Sequence, residues 1–447
     1  MVVVYALVAL AVVSVLVASN WYVWRRLFRD TTRGPGPVRR IGVVVIAGGW
    51  VLAVGALVAR RVAPFWLERV LAWPGYLWLA LCLYLVLALL VGEAVRPLLR
   101  RFLERRAAAR QAAAEPEPEP LRSPAADTER IPAGTAPPKT PETPETPETP
   151  GIPGAPAAPG APADGTPESP LALPSRRLFV SRVVAGAAAA AAVGTVGYGT
   201  YGVLNGPTVK RVTVPLAKLP RAAHGYRIAV VSDIHLGPVL GRGFAQKVVD
   251  TINSTQPDLI AVVGDLVDGS VKDLGPAAAP LARLKARHGA YFVTGNHEYF
   301  SGAEQWVAEV RRLGMIPLEN ARTELPHFDL AGVNDVAGED EGQGPDYAKA
   351  LGDRDRARAC VLLAHQPVQI HDAVDHGVDL QLSGHTHGGQ LWPGSLLAGL
   401  ANPTVAGLER YGDTQLYVSR GAGAWGPPTR VGAESDITVI ELASLEA

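Results

Sequence analysis

Three long apolar runs dominate the N-terminal part of the chain and constrain its fold more than any other feature. They cover residues 2–24, 41–59 and 71–92. A run of about 20 apolar residues spans the hydrocarbon core of a bilayer. The alternative, a buried helix of a soluble protein, rarely reaches this length without a charged residue. We therefore predict three transmembrane helices at these positions, within a membrane region over residues 1–106.

Arginines between the apolar runs predict the orientation of the spans. Loop 25–40 holds six arginines and residues 96–110 hold six more, whereas loop 60–70 holds three arginines and one glutamate. Because arginine and lysine accumulate in cytoplasmic loops, the two richer segments are predicted inside the cell and the N-terminus outside. No charged segment precedes the first run, which disfavours a cleaved signal peptide there. We therefore expect a multi-pass protein of the cell membrane.

A proline-rich linker is predicted over residues 107–174. Of the 38 prolines in the chain, 18 lie between Glu115 and Pro174, and a tandem Pro-Glu-Thr repeat begins at Pro141. Such a segment has little apolar surface to bury and stays extended and disordered. It is either a spacer or a proline-rich ligand for a signalling partner.

Residues 175–204 have two interpretations. The twin arginines Arg176 and Arg177 precede a mildly apolar stretch at 183–204 and resemble a Tat export signal, which implies the Tat translocase as a partner. Alternatively, the segment is a fourth span or signal anchor whose arginines follow the positive-inside rule. Both interpretations place the domain that follows outside the cytoplasm.

Charge and cysteine content exclude several classes of function. Residues 1–207 carry 21 basic and 14 acidic side chains, a net +7, whereas residues 208–447 carry 21 and 28, a net −7. A nucleic-acid-binding protein would concentrate basic charge on its folded domain, so no nucleic-acid partner is expected. The two cysteines, Cys82 and Cys360, lie far apart in the sequence, which excludes a disulfide framework and a cysteine-based zinc site.

The region 208–447 alternates predicted strands and helices, which is typical of an α/β fold. The predicted strands cover residues 227–231, 258–263, 290–294, 359–364 and 378–382, and the predicted helices cover 243–254, 276–287 and 303–313. In such folds, ligands bind at the carboxyl ends of the strands.

Polar clusters follow each predicted strand. They comprise Asp233 and His235, Asp265, Asn296 and His297, His365, and His385 with His387. Side chains at i and i+2 of an extended chain point to the same face. The mixture of carboxylate, amide and imidazole groups suits a divalent transition metal rather than calcium. Each cluster alone could be a turn or a hydrogen-bonded core histidine, but five of the ten histidines occur at these strand ends. We therefore predict a metal site.

Five motifs in this order resemble a known family. They are Ser-Asp-Ile-His from residue 232, Gly-Asp-Leu-Val-Asp-Gly from 264, Gly-Asn-His-Glu from 295, the histidine at 365, and Gly-His-Thr-His-Gly-Gly-Gln from 384. Together they resemble the calcineurin-like metallophosphoesterases, and in particular bacterial membrane-associated members with Tat-like signals. The resemblance covers roughly residues 220–442, including Gly-Pro-Pro-Thr-Arg at 426–430 and a strand at 437–442.

The resemblance implies a β-sandwich flanked by helices and a centre of two divalent metal ions, Mn, Fe or Zn. Its implied ligands are Asp233, His235 and His387 for one ion, Asn296, His365 and His385 for the other, and Asp265 as the bridge. Two such ions polarise phosphoryl oxygens and supply a hydroxide that attacks phosphorus. His297 would act on a phosphate oxygen or on the leaving group, and Asp268 would orient His297 unless it only caps a turn.

The sequence therefore predicts a membrane-anchored phosphoesterase with its catalytic domain over residues 208–447, outside the cytoplasm. Its expected substrates are phosphomonoesters or phosphodiesters that are lipid-linked or derived from the cell envelope or cell wall. The alternative is a membrane sensor or scaffold whose metal domain binds a phospho-ligand without turnover. The complete set of motif residues favours the enzyme.

Overall fold

The computed structural model describes residues 2–113 and 175–446, and four long helices form its N-terminal region. These are α1 (Val2–Trp24), α2 (Pro37–Val62), α3 (Phe65–Ala112) and α4 (Arg176–Asn205), with a π-helical turn at Arg25–Arg29 after α1. All four are long and apolar enough to cross a membrane. The third helix includes six residues of the predicted linker, whose remainder at 114–174 lies outside the described residues.

Side-chain contacts gather the basic segments at one end of the four helices. Arg26 forms a 2.7 Å ion pair with Glu93 of α3, and the Arg182 guanidinium of α4 donates to the Thr31 carbonyl at 3.0 Å. At the other end, Lys247 of the C-terminal domain donates to the Leu204 carbonyl near the end of α4. The domain therefore joins the helices at the end opposite to the basic segments. Which compartment each end faces stays a prediction.

Two six-stranded sheets form the C-terminal domain. The strands are β1 (Thr208–Leu216), β2 (Tyr226–Val231), β3 (Leu259–Val263), β4 (Ala290–Val293), β5 (Ile316–Pro317), β6 (Ala321–Glu324), β7 (Asp329–Gly332), β8 (Cys360–Leu363), β9 (Leu380–Ser383), β10 (Gly407–Tyr411), β11 (Thr414–Val418) and β12 (Asp436–Ser444). The strand orders are β1-β12-β2-β3-β4-β5 and β10-β11-β9-β8-β7-β6.

The described part of the C-terminal domain also contains seven α-helices. They are α5 (Arg242–Ser254), α6 (Val271–Ala278), α7 (Asn296–Ser301), α8 (Ala303–Arg312), α9 (Tyr347–Leu351), α10 (Ile370–Asp375) and α11 (Gly394–Ala401). Side chains from both sheets, such as Ile228 and Leu382, share one buried cluster between the sheets. A second cluster packs α5, α6 and α8 on the first sheet, and a third packs α9 and α10 on the second. The predicted α/β sandwich flanked by helices is confirmed.

One predicted helix is wrong in its position. The sequence predicts a helix over 276–287, but α6 begins at Val271 and ends at Ala278, followed by a 3₁₀ turn to Arg283. The Ser270 hydroxyl caps the helix by accepting from the Asp273 amide, which fixes the earlier start. Pro280 has no amide hydrogen to continue the helix, so the chain tightens into the 3₁₀ turn.

The topology brings the polar strand ends together. Strands β2, β3 and β4 are parallel neighbours in the first sheet, and β8 and β9 are parallel neighbours in the second. Parallel neighbours end at the same edge of a sheet, so the five loops that carry the motifs meet at one edge of the sandwich.

Candidate metal centre

Every residue predicted from the motifs lies in a loop or first helical turn after one of these five strands. Three groups of metal-ligating side chains form there, each with its ligand atoms within 4.8 Å of one another. The groups are Asp233, His235 and His387; Asp265, His365 and His385; and His235, Asp268 and His297. Most of these side chains are buried. The first group has the same residues as the first predicted ligand set, and the second group combines two residues of the second set, His365 and His385, with the predicted bridge Asp265.

In the first group, two imidazoles converge on one carboxylate. The Nε2 atoms of His235 and His387 lie 3.0 Å apart, and His387 Nε2 lies 3.4 Å from Oδ1 of Asp233. The backbone amide of His385 donates to both oxygens of Asp233 at 3.1 Å, which fixes the carboxylate. Three ligand atoms thus face one small volume.

The second group lies beside the first, and its Asp265 faces both groups. Oδ2 of Asp265 lies 3.2 Å from His365 Nε2 and 3.7 Å from His235 Nε2, so this carboxylate stands between the groups. The side chain of Asn296 completes the second group, with Oδ1 at 3.1 Å from Nδ1 of His385. Asp265 therefore occupies the place of a bridging ligand.

The donor atoms fit divalent metal ions. Nδ1 of His365 lies 2.9 Å from the Val263 carbonyl and donates to it, so Nε2 is the ring nitrogen that faces the metal site. That buried Nε2 faces the Asp265 carboxylate and has no hydrogen-bond partner among the described residues. Burial would lower the pKa of His365, but the Asp265 carboxylate outweighs burial and raises this pKa well above its usual value, so the buried place between the two groups favours a positive charge that a metal ion would supply. Burial lowers the pKa of His385 to about 4, which keeps its imidazole in the neutral form that binds metals.

The backbone at the site adopts an uncommon conformation. Five of the seven predicted ligands have positive φ angles between 47° and 72°: Asp233, His235, Asp265, His385 and His387. Non-glycine residues rarely enter this left-handed region, and they do so mostly at functional sites. Gly264 also has a positive φ of 73°, and a Cβ there would lie 2.6 Å from Nδ1 of His365. The local backbone is thus shaped around the ligand atoms.

A buried glutamate, Glu298, joins two of the metal-site loops. Its Oε2 accepts hydrogen bonds from the amides of Asp265 and Gly295 at 2.9 and 2.7 Å, and its Oε1 accepts from the amide of Leu266 at 2.8 Å. The motif Gly-Asn-His-Glu contains this residue, but the sequence assigns it no role. Its position beside the ligands shows that it braces the loops after β3 and β4.

His297 and Asp268 form a pair beside the first group. Nδ1 of His297 lies 2.5 Å from Oδ1 of Asp268, and Oδ2 of Asp268 lies 3.3 Å from Nδ1 of His235. Burial favours the neutral acid, but the charges and hydrogen bonds of His235 and His297 outweigh it and hold the pKa of Asp268 well below its usual range. The ionised carboxylate therefore orients both imidazoles.

Comparisons with known proteins agree with this geometry. The family model of calcineurin-like phosphoesterases matches residues 226–389. A metallophosphoesterase of Helicobacter pylori strain J99 is 38% identical over 273 residues, covering 60% of this chain and 73% of that protein. The chain belongs to the calcineurin-like phosphoesterase family. Its C-terminal domain is therefore a metallophosphoesterase domain, of the metal-dependent hydrolase class.

Further relatives extend the similarity beyond bacteria. A transmembrane protein with metallophosphoesterase domain from Danio rerio is 39% identical over 259 residues, covering 54% of this chain and 59% of that protein. The chain thus spans less than two thirds of that relative. A solved dimetal phosphatase from Danio rerio has a TM-score of 0.36 and 12% identity, covering 49% of this chain and 93% of that chain.

An arginine from the membrane region reaches the metallophosphoesterase domain. Nη2 of Arg60, near the end of α2, lies 3.2 Å from Oδ1 of Asp268. Arg60 and Arg61 also line a cavity of about 790 Å³ together with His297, Phe300 and Trp425. The sequence interprets these arginines only as loop charges. The segment 60–70 that contains them is predicted to lie outside the cell, where the positive-inside rule leads us to expect few arginines. Arginines at this place therefore indicate another role.

Arg430 is a second site residue that the sequence does not assign. Its buried guanidinium donates to the carbonyls of His387, Gly423, Ala433 and Arg420 at 2.7–3.0 Å and lies 3.0 Å from Nδ1 of His387. The motif Gly-Pro-Pro-Thr-Arg contains it, but only as part of the family resemblance. Arg430 fixes the loop after β9 that carries His387.

Proposed function

We propose that the chain is a membrane-anchored phosphoesterase that uses two divalent metal ions to hydrolyse phosphomonoester or phosphodiester bonds. The observation that carries this proposal is that the seven predicted ligands lie together at one edge of the sandwich, in two adjacent groups with Asp265 between them. Family membership and the unpaired Nε2 of His365 support it.

The proposed assignment of ligands follows the two groups. Asp233, His235 and His387 would hold one ion, Asn296, His365 and His385 would hold the other, and Asp265 would contact both. The metals would polarise the phosphoryl group and lower the pKa of water. Mixed nitrogen and oxygen donors favour Mn, Fe or Zn. Glu298 and Arg430 would fix the positions of these ligands by their hydrogen bonds to the backbone of Asp265 and His387.

His297 is proposed as the proton donor to the leaving group. Its Nδ1 contacts Asp268, so Nε2 is the ring nitrogen available to a substrate. Its side chain lines the cavity that contains Arg60 and Arg61, where the positive charges would attract an anionic substrate. Asp268 is a positioning residue, because it acts through His297.

The membrane region supports a substrate at or in the membrane. Four helices could cross a bilayer, and their contacts hold the metallophosphoesterase domain at the end opposite to the basic segments. With the basic segments in the cytoplasm, the domain would lie outside it, near lipid-linked phosphoesters or phosphoesters of the envelope. Two expectations stay predictions. One is that the Tat translocase transports the chain through residues 175–204, and the other is that the chain belongs to the bacterial membrane-associated members with Tat-like signals.

Hydrolysis by the full-length protein tests the proposal. The protein, purified in detergent and loaded with Mn, Fe or Zn, should cleave p-nitrophenyl phosphate or bis(p-nitrophenyl) phosphate, and exhaustive chelation should abolish the activity. The more readily cleaved ester would indicate a monoesterase or a diesterase. Two bound metal ions without turnover of either ester would instead favour the sensor or scaffold.

A further inference from the structure

A second cavity leads from the metal site to an apolar surface. It has a volume of about 660 Å³ and lies between His385, Thr386 and His387 on one side and apolar residues on the other. The apolar residues include Leu396, Leu397 and Ala398 of α11 and Leu83 of the membrane helix α3. This cavity adjoins the one beside His297 that Arg60 and Arg61 line, and Trp425 lines both.

Helix α11 is unusual for a helix on an acidic soluble domain. It consists of Gly, Ser, Leu and Ala, and none of its residues is buried. Leu396 and Leu397 are both 71% exposed and Leu400 is 86% exposed, while the nearby Trp392 is 55% exposed. The segment from Gly388 to Leu408 contains no charged residue. Adjacent exposed leucines next to a ligand cavity mark an interaction surface.

The contacts of this segment with α3 indicate what surrounds the exposed leucines. The Tyr84 hydroxyl donates to the Trp392 carbonyl at 3.1 Å, and Leu391 packs against a cluster that includes Tyr84 and Val196. Leu83 lies 12 residues beyond Leu71, where the apolar run of α3 begins at the domain end. At 1.5 Å per residue this is about 18 Å along the helix, or about 14 Å of depth for a helix tilted by about 40°.

This depth places α11 in the membrane. The hydrocarbon core of a bilayer is about 30 Å thick, so Leu83 lies well inside it when α3 crosses the bilayer. Because α11 lines the same cavity as Leu83 and follows Trp392, which Tyr84 contacts, α11 is near the same depth, where exposed leucines are favourable and charges are costly. The absence of charge from 388 to 408 fits this environment.

We infer that α11 is embedded in the bilayer and that the second cavity binds the hydrocarbon chain of a lipid phosphoester. The chain would lie against Leu83, Leu396 and Leu397, and the phosphoester would reach His385 and His387 at the inner end of the cavity. The polar remainder of the molecule would extend towards Arg60 and Arg61. The substrate thus enters sideways from the membrane. This inference rests on the proposed phosphoesterase function.

A chain-length series tests the binding of the hydrocarbon chain. Methyl and octyl p-nitrophenyl phosphate share one scissile bond and one leaving group and differ only in the alkyl chain. The full-length protein in nanodiscs, with both esters below the concentration at which they form micelles, should cleave the octyl ester with a kcat/KM at least about tenfold higher. Leu397→Ser should remove most of this preference.

Leu445 provides the matched control. It is 67% exposed at the end of β12 distant from α4, and its replacement by serine should leave the preference unchanged. Equal rates for the two esters in the wild-type protein, or the same loss of preference in Leu445→Ser, would overturn the inference.

A fluorescence measurement tests the position of α11 independently of activity. Leu400→Cys and Leu445→Cys, each in a background with Cys82 and Cys360 replaced, would be labelled with a fluorophore in phosphatidylcholine–phosphatidylglycerol nanodiscs. Lipids with nitroxide groups on the acyl chains should quench the label at 400 strongly and the label at 445 hardly at all. An unquenched label at 400 would refute embedding of α11. If neither these diesters nor p-nitrophenyl phosphate is cleaved but quenching occurs, the proposed catalysis fails and the membrane contact stands.

Discussion

Replacement of Arg60 by glutamine tests whether the membrane region completes the catalytic site. The Arg60 guanidinium lies 3.2 Å from Asp268, whose carboxylate also contacts His297 and His235. The Asp268 side chain is 10% exposed and that of Arg60 is 30% exposed, so solvent screens the ion pair only in part. The change should therefore leave Asp268 less firmly fixed and His297 less well oriented, without touching a metal ligand.

The expected magnitude follows from the hydrogen bond that is lost. A hydrogen bond to a charged group contributes about 1.5–3 kcal/mol when buried. The partial exposure of Arg60 reduces this to about 1–2 kcal/mol, since exposed ion pairs contribute about 1 kcal/mol or less. If the lost interaction stabilises the transition state by this amount, kcat/KM should fall by about 5–30-fold, because 1.4 kcal/mol corresponds to a factor of about ten.

The assay is hydrolysis of p-nitrophenyl phosphate by the full-length protein, with bound metal measured by mass spectrometry. Arg60→Gln should lose activity at unchanged metal content, and Arg60→Lys should recover part of it. Arg69→Gln removes the same charge from an exposed position near the start of α3 and should have little effect. An activity of Arg60→Gln within twofold of the wild-type protein, or an equal loss in Arg69→Gln, would refute the reasoning.

Three further predictions concern the metals, the acid and the topology. Asp265→Asn should lower both metal content and kcat. The loss in kcat should exceed about 100-fold, which is the upper range for mutation of residues that only support metal ligands. Normal metal content in this variant would argue against a bridging role. His297→Ala should keep its metal and lose about 10²–10⁴-fold in kcat, with a smaller loss for esters of acidic leaving groups, whereas loss of metal would make His297 a ligand. Alkaline phosphatase fused after Thr208 should be active and fused at Thr140 inactive, and the opposite pattern would place the metallophosphoesterase domain in the cytoplasm.

The ligand groups could be predicted because the sequence presents them locally. Asp-x-His and His-x-His each combine two donors just beyond a strand end, and parallel neighbouring strands bring such ends to one edge. The expectation that these pairs align on an extended chain is wrong, because all four residues have left-handed φ angles. The α/β class follows from the alternation of buried strands and helices, whereas the sandwich is expected only from the family resemblance. The order of the motifs thus contains most of the geometry of the metal centre.

The contacts of Arg60 could not be predicted in this way. The residue lies 208 positions before Asp268 and belongs to a different structural region, so only tertiary packing brings them together. The same holds for Leu83 beside the metal-site cavity. The error at α6 has a local cause, because the cap at Ser270 precedes the apolar pattern on which the prediction relied.

The left-handed backbone of the ligand residues affects how readily the protein is degraded in the cell. Five positive φ angles at about 1 kcal/mol each add about 5 kcal/mol of strain, which is comparable to the whole stability of an ordinary domain. Bound metal ions would offset this strain, so folding and metal loading should be thermodynamically linked. Starvation for the metal would then increase the unfolded fraction that proteases degrade. The supply of metal would therefore set how much of this protein the membrane retains.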